Sequence, residues 1–508
     1  MKNTYLLMLR CICLLIVVSM LGSCMKDIGN YDYKELNELV EVSNLPEEMQ
    51  AQYGKKLEFV PIIKFSKDPD FDASKYEYEW TYIGPNGVGG TGLYVLSDTK
   101  DLDMLLTKVV AGTYTAYFAV TDKASGVKYK KSFKLKVVNE YNEGWIMMNE
   151  ANGKARVDML YLDAERNFKL VNDVLGSTGA GLSLEGKPVL AYTYSTGLLI
   201  GPDKISYGVY LGTDKYTTKV DPNTFKWTPT MGLAYEMYGD VPAGFYAERI
   251  QVRGSGSSAY MIGAGDAYYY DRTMQIYFSA PISYNNEDQK SFKVAPFVAA
   301  SSSYGIFYDS TNRRFVKHSG TSSTMTVIPD PAIGERLFSF TTGMDLVYMR
   351  NVPYNGGEVF SILKEVNGSK KYLARFNPAN NVQSYYAEIK GTDIDKAEFY
   401  AINPEFGYVF YSVGSKVYQY DMTYKTSKLM ADYGSHKISY LDFYEFKATA
   451  KINAEGKRLM VGTYDATINN GTEGSLHIYT VPSLNGDLIE ISTYSGFGRI
   501  KSLTYRER

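Results

Sequence analysis

Residues suited to acid–base or metal chemistry are scarce in this chain. Its three histidines, His318, His436 and His477, show no HxH or HExxH spacing, the pattern that brings two imidazoles to one metal. His477 falls inside a stretch with strand character, where a packed ring is the ordinary reading. No Gly-x-Ser-x-Gly elbow is present, and Gly254-Ser255-Gly256-Ser257-Ser258 reads as a flexible connector. Gly176-Ser177-Thr178-Gly179-Ala180-Gly181 and Gly263-Ala264-Gly265 open no predicted helix, so a nucleotide phosphate would meet no helix N-terminus there. Asp68, Asp70 and Asp72 alternate in Asp68-Pro69-Asp70-Phe71-Asp72, with Glu79 at the twelfth position. They are a weak calcium candidate, because the sixth position is Ala73 where the helix-loop-helix site needs glycine, and Glu79 lies on a predicted strand. A solvated loop is the expected reading.

Aromatic residues are the chemistry in good supply, with 47 Tyr, 23 Phe and 3 Trp. Sugar rings and peptides both pack on exposed aromatic faces. Trp227, Tyr235, Tyr238 and Tyr246 share a stretch with Gly239, Pro242 and Gly244, Tyr284 precedes Asn285-Asn286-Glu287-Asp288, and Tyr354 precedes Asn355-Gly356-Gly357. These loop aromatics are the candidate ligand-binding set, against the reading that each simply caps a sheet. No catalytic residue and no cofactor are assigned.

The elements that must carry these residues are strands. Hairpins recur along the chain: Trp145-Ile146-Met147-Met148 with Val157-Asp158-Met159-Leu160, Leu198-Leu199-Ile200 with Tyr207-Gly208-Val209-Tyr210, and Tyr260 to Asp271 turning at Gly265-Asp266. Further on come Gly305–Tyr308 with Arg314–Val316, Leu346–Tyr348 with Val359–Ile362, Ala401–Asp421 turning at Gly414-Ser415, and Leu459–Val461 with Leu476–Tyr479. At roughly fifty residues per repeat this spacing fits a β-propeller, read as seven-bladed with six or eight open and a pair of jelly rolls as the alternative. Ile500 to Tyr505 is placed as the strand that joins the blade begun at Trp145 and closes the ring. Before this region, Tyr76-Glu77-Tyr78-Glu79-Trp80, Gly112 to Asp122 and Lys131 to Val138 alternate large apolar and polar residues, the pattern of half-buried strands in an immunoglobulin-like sandwich.

The chain has 508 residues, 54 Lys+Arg against 56 Asp+Glu and 45% hydrophobic residues. That balance describes a globular protein of more than one domain and provides no electrostatic case for nucleic acid. Lys2 and Arg10 flank an apolar run from Leu6 to Met20 followed by Leu21-Gly22-Ser23-Cys24, about fifteen residues and short of the roughly twenty a bilayer span needs. It reads as a signal peptide ending in a lipobox. Cys11 and Cys13 lie inside it, so the mature chain keeps Cys24 alone and has no intrachain disulfide. Lipidation at Cys24 fixes the chain to a membrane. The expected layout is a signal peptide at 1–23, a lipidated tether at 24–40, a sandwich at 41–140 and a propeller at 141–508.

Taken together, Tyr-x-Trp at Tyr78 and Trp80, the strand Gly112-Thr113-Tyr114-Thr115-Ala116-Tyr117-Phe118-Ala119-Val120-Thr121-Asp122, and Gly29-Asn30-Tyr31-Asp32-Tyr33 after Cys24 resemble the PKD-like lipoproteins of Bacteroidota. The ending Gly496-Phe497-Gly498-Arg499-Ile500 extends the resemblance to the whole chain. Lys26-Asp27 resembles the charged signals that send such lipoproteins to the outer face. The resemblance implies an outer-membrane, cell-surface lipoprotein that binds a nutrient, glycan or peptide, or an importer subunit, as an accessory of a starch-utilisation-type uptake system. It implies no catalytic residue. The rival readings are a glycoside hydrolase or lyase drawing an Asp/Glu pair from different blades, and a structural accessory that only clamps an importer.

Overall fold

The computed structural model describes residues 35–507 except 87–89, 140, 164, 198–204, 255, 257, 275, 277 and 448. Cys24, Lys26-Asp27 and the Gly29–Tyr33 segment lie outside the described residues. The chain divides into two compact units, one running to Lys136 and one beginning at Val137, with Thr107–Gly112 grouped with the second. Both are built from antiparallel strands.

In the first unit, strands Glu48–Gln52, Lys128–Val138, Gly112–Asp122, Tyr76–Pro85 and Thr91–Ser97 form one five-stranded sheet in that order. Two short pairs accompany it, Leu39–Val42 with Ile63–Phe65 and Lys56–Phe59 with Leu102–Leu105. Among the described residues the first strand begins at Leu39, inside the span expected to be tether. Alternation sets what is buried: Trp80 pairs with Phe118 across the sheet, and Phe133, Leu135 and Val137 turn inward while Lys134 faces out. The Trp80 ring lies 4.2 Å from Phe118 and 5.9 Å from both Phe59 and Phe133. Its burial is worth roughly 4–6 kcal/mol of transfer free energy. Its indole N–H is shared between the carbonyls of Thr99 at 3.1 Å and Lys100 at 3.2 Å, so no buried donor is left open.

Asp68, Asp70 and Asp72 precede the strand that carries Trp80. Asp68 is buried and accepts from Lys75 Nζ at 2.9 Å, the Asp72 N–H at 2.9 Å and the Tyr76 hydroxyl at 3.1 Å. Asp72 accepts from the backbone and hydroxyl of Ser74. Hydrogen bonds from Lys75 and Ser74 hold both carboxyls below the usual carboxylate range. Two of the three alternating carboxylates, Asp68 and Asp72, are thus engaged within the loop itself. Among the described residues no group of three His, Cys, Asp or Glu side chains could hold a metal ion.

In the second unit, seven antiparallel sheets of three or four strands succeed one another among the described residues. Their first strands are Gly144–Ala151, Pro188–Ser195, Arg249–Arg253, Ala299–Ala300, Asp345–Val352, Tyr400–Ile402 and Lys437–Phe443. The last described strand, Arg499–Arg506, returns to the first sheet and pairs with Gly144–Ala151, the sheet the sequence placed it in, and its register sets Trp145 opposite Tyr505. From the second sheet onward the first strand of each sheet lies beside that of the next. Lys437–Phe443 and Pro188–Ser195 both lie against Arg499–Arg506, so the succession returns to its beginning.

Packing follows from strand periodicity. Trp145 and Met147 join a hydrophobic cluster with Tyr444, Met460 and Leu476 of the seventh sheet, and Ile146 and Met148 join one with Val209 and Leu211 of the second. Five further clusters each draw on two consecutive sheets. Strands such as Ser258–Gly263 are buried throughout because a neighbouring sheet covers each face. Local chemistry ends many of the strands: Asp221 accepts from the N–H groups of Asn223 and Thr224, Asn403 from Glu405 and Phe406, and Asp421 from Thr423 and Tyr424. These Asx turns reverse the chain with little loop.

Two hairpins differ from the sequence reading. Tyr207–Thr213 pairs with Pro188–Ser195, while Leu198–Ile200, its expected partner, lies outside the described residues. The hairpin in 258–271 turns at Ala264-Gly265, both with positive φ of 53° and 74°, one residue earlier than expected. A two-residue turn of this kind requires positive φ at both positions and matches the strand twist.

Candidate functional site

The first strands of the sheets carry side chains that converge on a cavity of about 230 Å³. Leu190 and Tyr192 come from the second sheet, Arg249 and Gln251 from the third, Ala300 from the fourth, Tyr348 and Arg350 from the fifth, Tyr440 and Asp442 from the seventh, and Lys501 and Ser502 from the returning strand. Glu248 and Glu445 join them from just outside the strands. Three cations and three carboxylates thus line one small space.

Their pairing is uneven. Arg350 forms an ion pair with Asp442 through Nη1 and donates from Nη2 to the Phe443 carbonyl at 2.5 Å. Burial works against its charge, but Asp442 and Tyr348 more than offset it, so the guanidinium is held firmly cationic. Gln251 donates to Glu445 at 3.1 Å, and Lys501 lies 3.8 Å from Glu150. Arg249 donates from Nε to the Pro296 carbonyl at 3.1 Å. Asn351 donates to the Ala300 carbonyl at 3.2 Å, while its buried Oδ1 has no hydrogen-bond partner among the described residues. Burial, then the charge of Asp442, pushes the Tyr348 phenol up to about 12, and burial raises Tyr440 further.

A second cavity of about 610 Å³ adjoins the first, sharing Arg350, Asn351, Tyr444 and Glu445. Its wall is largely apolar: Pro353, Tyr354, Pro404, Phe446 and Ile452, with the Glu405–Lys457 ion pair at 2.8 Å beside them. Positioning comes from the ends of the fifth and seventh sheets and the short helix Thr449–Ala454. Lys451 on that helix binds Glu143 at 2.8 Å and so fastens the helix to the first sheet. A polar recess opening beside an aromatic one is an arrangement that orients a ring by its faces and its hydroxyls or charge by the recess.

Of the aromatics singled out from sequence, Tyr354 alone lines this pair of cavities, and the guanidinium of Arg375 lies 5.0 Å from its ring. Trp227 is half-buried and donates to Thr218 Oγ1 at 2.8 Å, packing against the cluster between the first and second sheets. Tyr235 and Tyr238 are exposed at 52% and 79%, and Tyr246, further along the connection from Glu236 to Arg249, is half-buried. Tyr284 lines a shallow cleft of about 390 Å³ with Lys293 and Pro281. The set does not converge.

The three histidines lie outside both cavities. His318 is fully buried, bonded at 2.8 Å to the Tyr260 hydroxyl and at 2.7 Å to the Ser322 carbonyl. His477 is bracketed by Thr463 and Thr493, and His436 sits 3.8 Å from Asp465. What sequence reasoning missed are the charged residues of the inner strands. Their signal is a repeated aromatic-x-charged pattern, Tyr348-Met349-Arg350 and Tyr440-Leu441-Asp442, on strands otherwise apolar.

No described helix is long and apolar enough to cross a membrane. Among curated proteins none matches this sequence. Solved structures with a similar course include a quinonprotein alcohol dehydrogenase-like protein of Bacteroides thetaiotaomicron, at 11% identity over 93% of this chain and 99% of that one, with a TM-score of 0.42. A variant apocarotenoid oxygenase of Synechocystis is 11% identical over 72% of this chain and 93% of its own, with a TM-score of 0.40. Likeness at this level says nothing about activity. The match to a family is confined to the first third of the chain and stops well short of Gly496–Ile500: residues 24–188, from Cys24 to the start of the second sheet of the larger unit, match the PKD-like family.

Proposed function

We propose that this chain is a lipid-anchored binding protein of the outer membrane, acylated at Cys24 and facing the cell exterior. Its PKD-like unit serves as a spacer, and its larger unit is a seven-bladed β-propeller. The seven sheets, the seven clusters between consecutive sheets and the return of Arg499–Arg506 to the first sheet support the propeller. The single observation that carries a capture function is the adjoining of an aromatic cavity and a charged one through four shared residues. A glycan or a peptide segment satisfies both halves, and an importer subunit that takes over the captured ligand completes an uptake role.

The test is a binding screen of the soluble form beginning at Met25 against glycan and peptide panels, with products analysed after overnight incubation. Ile452→Glu, which puts a charge on the exposed part of the aromatic wall, is expected to weaken capture about tenfold, or ~1.4 kcal/mol. Unchanged affinity would move the ligand away from this end. In cells, Cys24→Ser is expected to shift the protein out of the membrane fraction. A catalytic reading is favoured by Glu248, Asp442 and Glu445 in one cavity; new products that vanish in Glu445→Gln would put it ahead.

A further inference from the structure

We infer that the axial cavity takes the carboxylate of an acidic sugar, with Arg249 as its anchor. The inference rests on the capture reading above and names the ligand class of that same site.

Of the three cations in the cavity wall, two are already engaged, Arg350 by Asp442 and the Phe443 carbonyl, and Lys501 by its approach to Glu150. Arg249 donates from Nε to the Pro296 carbonyl at 3.1 Å, and its guanidinium carbon lies 5.7 Å from the Phe297 ring. Among the described residues its two Nη groups have no hydrogen bond and no carboxylate within ion-pair distance. A guanidinium with one edge held and the other open presents the planar fork that binds a carboxylate through two parallel hydrogen bonds. Inside a recess such a bond is less screened than at a surface.

The other groups argue for hydroxyls beside that carboxylate. Asn351 Oδ1 is a buried acceptor without a partner, and buried polar atoms are seldom left so. Glu445, which accepts from Gln251 at 3.1 Å, and Glu248 are further acceptors. Three carboxylates in the wall disfavour a polyanion such as a phosphorylated ligand, but they suit a molecule that brings one negative charge and several O–H donors. The volume, about 230 Å³, lies below the ~300–1,000 Å³ of common ligand sites, in keeping with one sugar unit. The aromatic cavity alongside, with Tyr354, Tyr444 and Phe446 in its wall, would receive the apolar face of the next ring.

The experiment is calorimetric titration of the soluble chain with D-glucuronate and with D-glucose, its neutral twin, for the wild type, Arg249→Gln and Arg249→Lys. Glucuronate is expected to bind about tenfold or more tighter than glucose. Arg249→Gln should erase that preference, and Arg249→Lys should keep part of it. The wild-type comparison stands even if a variant misfolds, which circular dichroism would reveal. Equal affinity for the two sugars, or an acid preference that survives Arg249→Gln, overturns the inference. So does silence of glucuronate up to about 10 mM, weaker than millimolar binding, while a neutral glycan or a peptide binds, an outcome that leaves the capture reading standing. Silence of every probe removes both.

Discussion

Removing Glu236 should expose how the larger unit tolerates a charge in its interior. Lys219, on Thr217–Val220, and Glu236, at the end of the short turn Leu233–Glu236, have side chains only 6% and 3% exposed, with Nζ 2.6 Å from Oε1. The other carboxylate oxygen accepts from the Tyr210 hydroxyl at 2.6 Å. Beyond Glu236, the ammonium has, among the described residues, only the Ile205 carbonyl at 3.5 Å. Glu236→Leu therefore strands a positive charge among Tyr194, Tyr210 and Leu233, and a loss of about 3–5 kcal/mol is expected. Lys219→Met strands the carboxylate and should cost a similar amount. Tyr210→Phe removes one hydrogen bond to a charged group and should cost about 1.5–3 kcal/mol. The double variant Lys219→Met/Glu236→Leu removes the charges together and loses only the Tyr210 hydrogen bond, so it should cost about 1.5–3 kcal/mol, well below the sum of the singles, with a coupling energy of several kcal/mol. Urea unfolding at neutral pH, followed by fluorescence and extrapolated to water, measures all four. A single-variant loss below about 1 kcal/mol, or a double variant whose loss equals the sum of the singles, would refute the reasoning.

Acid should weaken the fold through His318. Burial lowers its pKa from 6.5 to about 4, so the neutral ring is the folded form; stability is full above about 6.5 and falls by roughly 3 kcal/mol as pH drops towards 4. In His318→Gln, the pH-dependence of unfolding over this window should flatten relative to wild type, and an unchanged slope would remove His318 as the cause. Gly144 has φ 145°, and an added Cβ would sit 2.0 Å from the Leu160 carbonyl oxygen. Gly144→Ala should destabilise the first sheet by more than ~2 kcal/mol, read as faster hydrogen exchange in Gly144–Ala151; wild-type protection would contradict it. Adding calcium or a chelator should leave the melting temperature unmoved, because Asp68 and Asp72 are already engaged by Lys75, Tyr76 and Ser74; a rise with calcium would reopen that loop as a site.

Much of the fold was legible because strand information is local. Alternation at Trp145–Met148 decides which face turns to which neighbour, and the Asp and Asn at strand ends decide where the chain reverses, since both effects act within a few residues. The return of Ile500–Tyr505 to the sheet begun at Trp145 was readable too, because a hairpin missing its fourth strand and a terminal strand missing its sheet complete each other. The partner of Tyr207–Thr213 was not: several apolar runs of similar pattern compete for one edge, and only packing between sheets chooses.

The site was less legible, for a physical reason. Loop tyrosines look alike in sequence, yet Trp227 is drawn onto the core by its bond to Thr218, Tyr238 is left in solvent, and Tyr354 alone borders the paired cavities. Arg249, Arg350 and Asp442 lie far apart in the chain and become neighbours only when successive sheets bring their first strands together. By itself, then, the sequence determined strand positions, turns and the repeat, all matters of neighbouring residues. Which charges face one another, and which arginine is left open, was decided by tertiary structure, because burial and pairing depend on groups that sequence distance does not relate.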